Sequence, residues 1–256
     1  MKYTDDDTLT KEQNELIRAA HTLKMPHLAE ALMQQFKDPN SALRDRTALD
    51  LEAFSSEIDY RNTKHFIKLL RKASLKYADA DLDDSVKEGD RKIDLKTLYG
   101  LSTCGFVREH KNVLITGKAG TGKTYISNAL AVSALRNDIR VLYVRVNALL
   151  NDFDRYRGTQ KYFELNDQLC SVDLLVIDDF GLMPLEPHLC REFFEVTESR
   201  NNERSTIITS QLPVKSWWGL FKDSTYADAC ISRMIQGAYR LELDGPDRRQ
   251  MAEADA

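Results

Sequence analysis

Eight consecutive residues, Gly117-Lys118-Ala119-Gly120-Thr121-Gly122-Lys123-Thr124, carry the spacing Gly-x-x-x-x-Gly-Lys-Thr. Glycines at 117, 120 and 122 let a backbone turn tightly enough for successive N–H groups to converge on phosphate oxygens. A helix starting near Gly122 would aim its positive end at the same anion. Lys123 is then placed to reach the β- and γ-phosphates, and the Thr124 hydroxyl to hold Mg²⁺. An apolar run, Val113-Leu114-Ile115, precedes the glycines and a helical run beginning with Tyr125 follows them, which is the context this spacing requires. These residues predict a nucleoside triphosphate site reaching from Gly117 to Tyr125.

A second chemical element lies 54 residues after Thr124, where Leu174-Leu175-Val176-Ile177 runs into Asp178 and Asp179. At the carboxyl end of a strand beside the phosphate loop, Asp178 would order Mg²⁺ through water. Asp179 would be placed to orient or polarise the attacking water. A third element spans Asp154 to Phe163. Arg155, Arg157 and Lys161 supply phosphate-neutralising charge, and Tyr156 and Tyr162 supply rings that can lie against a sugar or base. The competing reading of that stretch is an amphipathic helix with solvated charges. The same choice applies to Lys64, Lys68, Arg71, Lys72 and Lys76, which are either a solvated face or a contact with DNA or an acidic partner.

Elements able to position these groups follow from the apolar patterns. Residues 10–75 read as helical. Thr10 and Gln13 have the form of a capping box, Pro26 is expected to kink or split the first segment, and residues 39–41 break it again. A second helix carries Leu51, Phe54 and Ile58 at helical spacing, and a third run begins at His65. The acidic stretch 79–90 reads as a linker. This divides the chain into an all-α domain (1–78), the linker (79–90) and a second domain (91–256). In the second domain, strands over 112–116, 140–146, 173–180, 205–211 and 238–243 alternate with helical intervals, the longest over 148–169. That alternation predicts an α/β fold, a parallel five-stranded sheet covered on both faces.

The chain has 256 residues with 42% apolar and 30% charged, enough for a large domain and a smaller one. A net charge of −4 excludes a wholly basic nucleic-acid coat but allows a local basic stripe. No apolar run approaches about eighteen residues, and the acidic start MKYTDDDTLT has no apolar stretch behind it, so membrane, signal and transit readings fail. Four scattered cysteines without a C-x-x-C pair suit a reduced, cytoplasmic location.

In this order, GKAGTGKT, LLVIDDF, TIITSQLP and ACISRMI resemble the AAA+ P-loop ATPases of the initiator and helicase-loader branch. Within it the chain is most similar to the IstB-like transposition helper ATPases, with DnaC-type replicative helicase loaders as cousins. The resemblance covers roughly Thr10 to Arg249. It implies ATP and Mg²⁺ as cofactors, DNA-stimulated hydrolysis, a homo-oligomer on duplex DNA with nucleotide at subunit interfaces, and a cognate transposase as partner. It places sensor 1 at Gln211, with Ser210 as the alternative, an arginine finger acting in trans at Arg233, and sensor 2 near Arg249. Only seven residues follow Arg249, so the resemblance also implies little or no C-terminal helical lid. A helicase loader, a non-hydrolytic ATP-binding switch and a small-molecule kinase stay open as rivals.

Overall fold

A computed structural model of the chain describes residues 3–87 and 93–247, which fall into two compact units divided between Lys68 and Leu69. In the first unit, α1 (Lys11–Thr22) starts with the expected capping box. Thr10 Oγ1 accepts from Gln13 N at 3.2 Å, and Gln13 Oε1 accepts from Thr10 N at 2.9 Å. Pro26 is the first helical residue of α2 (Pro26–Lys37), where its missing N–H costs nothing. A 3₁₀ turn (Pro39–Leu43) leads into α3 (Arg46–Ala73), one continuous helix where the sequence suggested two runs.

The face that α3 buries corrects the sequence reading. Leu51, Phe54 and Ile58 are 68%, 52% and 55% exposed, whereas Ala53 and Glu57 are buried with Ile17, Leu28 and Leu32. The reason is electrostatic. Met25 offers α2 no side-chain cap, and Glu57 supplies one, accepting from His27 N at 3.0 Å and Leu28 N at 3.3 Å while Arg61 Nε holds its other oxygen at 2.7 Å. Orphan N–H groups at a buried helix start thus select an acidic residue over an apolar stripe.

The second unit contains α4 (Leu82–Lys87), α5 (Leu95–Ser102), α6 (Gly105–Arg108), β1 (Val113–Gly117), α7 (Lys123–Arg136), β2 (Val141–Arg145), α8 (Val146–Tyr156), α9 (Gln160–Ser171), β3 (Leu174–Phe180), α10 (Pro187–Arg200), β4 (Ser205–Ser210), α11 (Ser224–Ile235) and β5 (Tyr239–Leu243). The five strands form one sheet in the order β2-β3-β4-β1-β5, every pair parallel. Helix α7 packs on β1, β3 and β4. Leu114, Leu175, Ile177 and Ile208 enter a second core with α8, α10 and α11. The helical interval expected over 148–169 is two helices. Gly158, at φ +73°, turns the chain between α8 and α9.

The expected boundary and linker also differ from what is observed. The compact units divide ten residues before position 78. The described part of the acidic stretch is packed: Ala80 and Leu82 are buried and Asp81 N donates to the Tyr125 hydroxyl at 3.2 Å, while just before the stretch Tyr77 N donates to Asn128 Oδ1 at 3.0 Å. Two buried apolar side chains and two polar partners on α7 anchor an otherwise acidic segment. Residues 88–90 lie outside the described residues.

Candidate nucleotide site

Strand β1 ends at Gly117, where an added Cβ would fall 2.3 Å from the Leu243 carbonyl oxygen of β5, so the loop can leave the sheet there only without a side chain. The chain then turns through Lys118, Ala119 and Gly120, braced by Thr121 Oγ1 donating to Lys118 O at 2.9 Å. Helix α7 starts after Gly122, a cap with no side chain, so its first N–H groups face the loop. Lys123 is buried, and its Nζ folds back to donate to Gly117 O at 2.7 Å and Lys118 O at 2.6 Å. One feature here was not visible in the sequence. A Cβ on Gly120 would lie 2.0 Å from Asp247 Oδ1, so a carboxylate following β5 rests against the phosphate loop.

The two halves of the site meet at β3. Asp178 is completely buried, and Thr124 Oγ1 donates to it, 2.9 Å from Oδ1 and 3.1 Å from Oδ2. Thr209 Oγ1 donates to Oδ1 at 2.5 Å, and the Tyr143 hydroxyl of β2 donates to Oδ2 at 2.7 Å. Burial first, and Asp178 second, push the Tyr143 pKa well above the usual phenol range. A hydroxyl and a carboxylate at this separation are hard oxygen ligands of the kind Mg²⁺ takes.

Asp179 follows at φ +61°, in the left-handed region, where the β3–β4 register shifts between Ile177 and Phe180. Its backbone N–H donates to Thr209 Oγ1 at 3.0 Å, and Arg145 Nη2 stands 2.7 Å from its Oδ2. Thr209 is therefore the residue of the β4 end that touches both aspartates. Ser210 is buried and donates instead to Phe180 O at 2.6 Å, and Gln211 is exposed.

Arg233 lies elsewhere in its own chain. Its guanidinium sits 5.3 Å from the Phe194 ring centroid and pairs with Glu198, and its Nη1 donates to Ala229 O at 2.8 Å. Asn112 Nδ2, at the start of β1, donates to the Arg233 carbonyl at 3.3 Å. The phosphate loop leaves the other end of that strand, roughly 17 Å away at the rise of an extended chain. Arg233 cannot complete the site of its own chain from there. Arg249 lies outside the described residues.

The basic stretch flanks the α8–α9 turn. Arg155 and Lys161 both approach the Tyr156 ring, at 5.7 and 5.6 Å from its centroid, and Arg157 lies 3.6 Å from Asp154. Tyr162 departs from the expected open ring. It packs on Phe153 at 6.2 Å between centroids, its hydroxyl donates to Glu192, and burial followed by that carboxylate pushes its pKa up to about 12. Its neighbour Phe163 is the exposed ring, at 62%. The amphipathic pattern of α9 sends every third or fourth residue inward, and Tyr162 takes that place beside Phe153.

The family described as "IstB-like ATP binding protein" matches residues 18–256. An insertion sequence ATP-binding protein of Sinorhizobium fredii is 36% identical over 197 residues, 77% of this chain and 79% of that protein. The insertion sequence IS1162 ATP-binding protein of Pseudomonas fluorescens is 35% identical over 196 residues, 75% of this chain and 84% of that protein. Among solved structures, DnaI superposes with a TM-score of 0.57 at 22% identity, over 70% of this chain and 94% of that one. The replication initiator DnaA bound to AMPPCP and single-stranded DNA superposes with a TM-score of 0.53 at 18% identity, over 68% and 55%. At those identities the likeness shows a shared fold.

Proposed function

The chain belongs to the family of IstB-like ATP binding proteins, and from that premise we propose that it is a DNA-stimulated ATPase that assembles on duplex DNA and assists the transposase of an insertion sequence. Binding of ATP and its hydrolysis follow from family and fold. DNA, the transposase and the assembly are the proposed part. The observation that carries the reading is the meeting of Thr124 with Asp178 beside the phosphate loop, with Asp179 one residue further on.

The site's residues divide the work. The loop N–H groups and Lys123, released from the Gly117 and Lys118 carbonyls, bind the phosphates. Thr124 would hold Mg²⁺ directly and Asp178 through water, and the ion would supply neutralising charge to the phosphates. Asp179 orients the attacking water and accepts its proton. Arg233 of a second copy would meet the charge that develops on the transferred phosphoryl group. Arg155, Arg157 and Lys161, grouped around the Tyr156 ring, would neutralise DNA phosphates.

Relatives named for insertion sequences support a transposase as the partner. The likeness to DnaI is one of fold alone and carries no loader reading. No helix among the described residues is long and apolar enough to cross a membrane, and the site of action proposed here is the cytoplasm. The test is steady-state phosphate release with and without duplex DNA. Stimulation by DNA that Lys123→Ala abolishes is expected; release indifferent to DNA refutes the reading.

A further inference from the structure

We infer that Tyr143 is a positioning residue for the reaction, its hydroxyl acting with that of Thr209 to fix the rotation of the Asp178 carboxylate beside Thr124. The inference rests on the proposed reading of this site as one for a metal–nucleotide complex. Asp178 is completely buried, so its orientation is set by protein donors. Among the described residues those donors are three hydroxyls, of Thr124, Thr209 and Tyr143.

The three are not equivalent. Thr124 is the group whose oxygen would turn to a bound cation, which removes its proton from the carboxylate. Two donors then remain, one for each oxygen: Thr209 on Oδ1 at 2.5 Å and Tyr143 on Oδ2 at 2.7 Å. They come from β4 and β2, the strands on either side of β3, so the carboxylate is held from both neighbours. Thr209 also accepts from Asp179 N at 3.0 Å, which links the orientation of one aspartate to the backbone of the next.

Tyr143 is 7% exposed on β2, with its ring in the interior. As a packing residue alone it could be Phe. The hydroxyl is what distinguishes the two, and it is spent on one oxygen of the carboxylate that would order the cation. A charge-assisted hydrogen bond of this kind also restricts the carboxylate to one rotamer, which a preformed ion site requires.

The test titrates a fluorescent ATP analogue against Mg²⁺ by anisotropy, with affinity in EDTA as the internal reference. In the unaltered chain Mg²⁺ tightens binding. In Tyr143→Phe the Mg²⁺ concentration giving half of that effect rises by roughly tenfold, the weight of one hydrogen bond to a charged group. Thr209→Val gives a shift in the same direction, and Thr209→Ser, which keeps the hydroxyl, restores the original dependence. A Tyr143→Phe variant with an unchanged Mg²⁺ midpoint overturns the inference. If the unaltered chain shows no Mg²⁺ effect on affinity, the reading of the site itself fails, and the inference goes with it.

Discussion

Arg145 at the end of β2 and Asp179 at the end of β3 are joined by an ion pair of 2.7 Å between Nη2 and Oδ2. The parallel register puts Arg145 opposite Asp178, and the left-handed turn at Asp179 swings the second carboxylate onto the guanidinium. That pairing holds the arginine's pKa above its ordinary value. The carboxylate proposed to orient water is therefore held and neutralised in the chain by itself. Arg145→Gln is expected to raise phosphate release in the absence of DNA by up to about fivefold, the weight of a partly exposed ion pair of ~0.2–1 kcal/mol. A fall in that rate would show that Arg145 supports the reaction and does not restrain it.

Asp247 brings a negative charge against Gly120 in a loop shaped for phosphates. Asp247→Asn keeps the shape and removes the charge. Its affinity for ATP, measured at fixed salt, is expected to tighten by roughly two- to fivefold, as for a partly screened charge pair. Equal affinities would place Asp247 outside the path of the phosphates.

Arg155, Arg157 and Lys161 replaced together by Ala are expected to weaken duplex DNA binding while leaving nucleotide binding intact. The salt dependence should flatten by about 0.9 in log–log slope for each DNA phosphate that is no longer neutralised. Because Tyr162 is turned toward Glu192 and Phe153, Tyr162→Phe should leave DNA affinity unchanged. An anisotropy titration over several salt concentrations distinguishes the two variants.

Arg233 is tied to α10 and reaches no nucleotide in its own chain. Arg233→Ala is expected to bind ATP normally and lose most hydrolysis, since an arginine at developing phosphoryl charge is worth roughly 10³–10⁵ in rate. Mixing it with Lys123→Ala, which keeps Arg233 but lacks a competent loop, should restore phosphate release. Failure of the mixture in the presence of DNA would remove the trans role.

Glu57 makes the first unit sensitive to acid. Burial would raise its pKa, but Arg61 and the N–H groups of Leu28 and His27 outweigh that and hold it below the ordinary 4.5. A carboxylate with a depressed pKa stabilises fully above the unfolded-state value, and that contribution is lost as pH falls through the folded-state value. Glu57→Gln should cost about 1.5–3 kcal/mol near neutral pH and flatten the acid limb of a urea-denaturation series. An acid limb identical to that of the unaltered chain would assign the loss to other groups.

Residues close together in sequence, whose side-chain types settle their local geometry, were legible without a structure. The phosphate loop from Gly117 to Thr124, the Thr10–Gln13 capping box, the break in the helical segment at Pro26 and the five strands are all of this kind, because backbone sterics and hydrogen-bond chemistry act over a few residues. The pair Asp178 and Asp179 was readable as well, since a buried strand ending in carboxylates is itself a local pattern.

The rest was decided by which strand lies beside which. Tyr143 lies inside the β2 run, Thr209 near the end of β4 and Asp247 after β5, and no local pattern around them names a partner. The order β2-β3-β4-β1-β5 brings the first two onto the Asp178 carboxylate and the third onto Gly120. In α3, helical spacing allowed either Leu51-Phe54-Ile58 or Ala53-Glu57 to face inward. The unpaired N–H groups of α2 chose the face that carries Glu57. Periodicity tells which side chains can share a face. Partners that arrive from distant parts of the chain settle which of them touch, and only the folded chain supplies those partners.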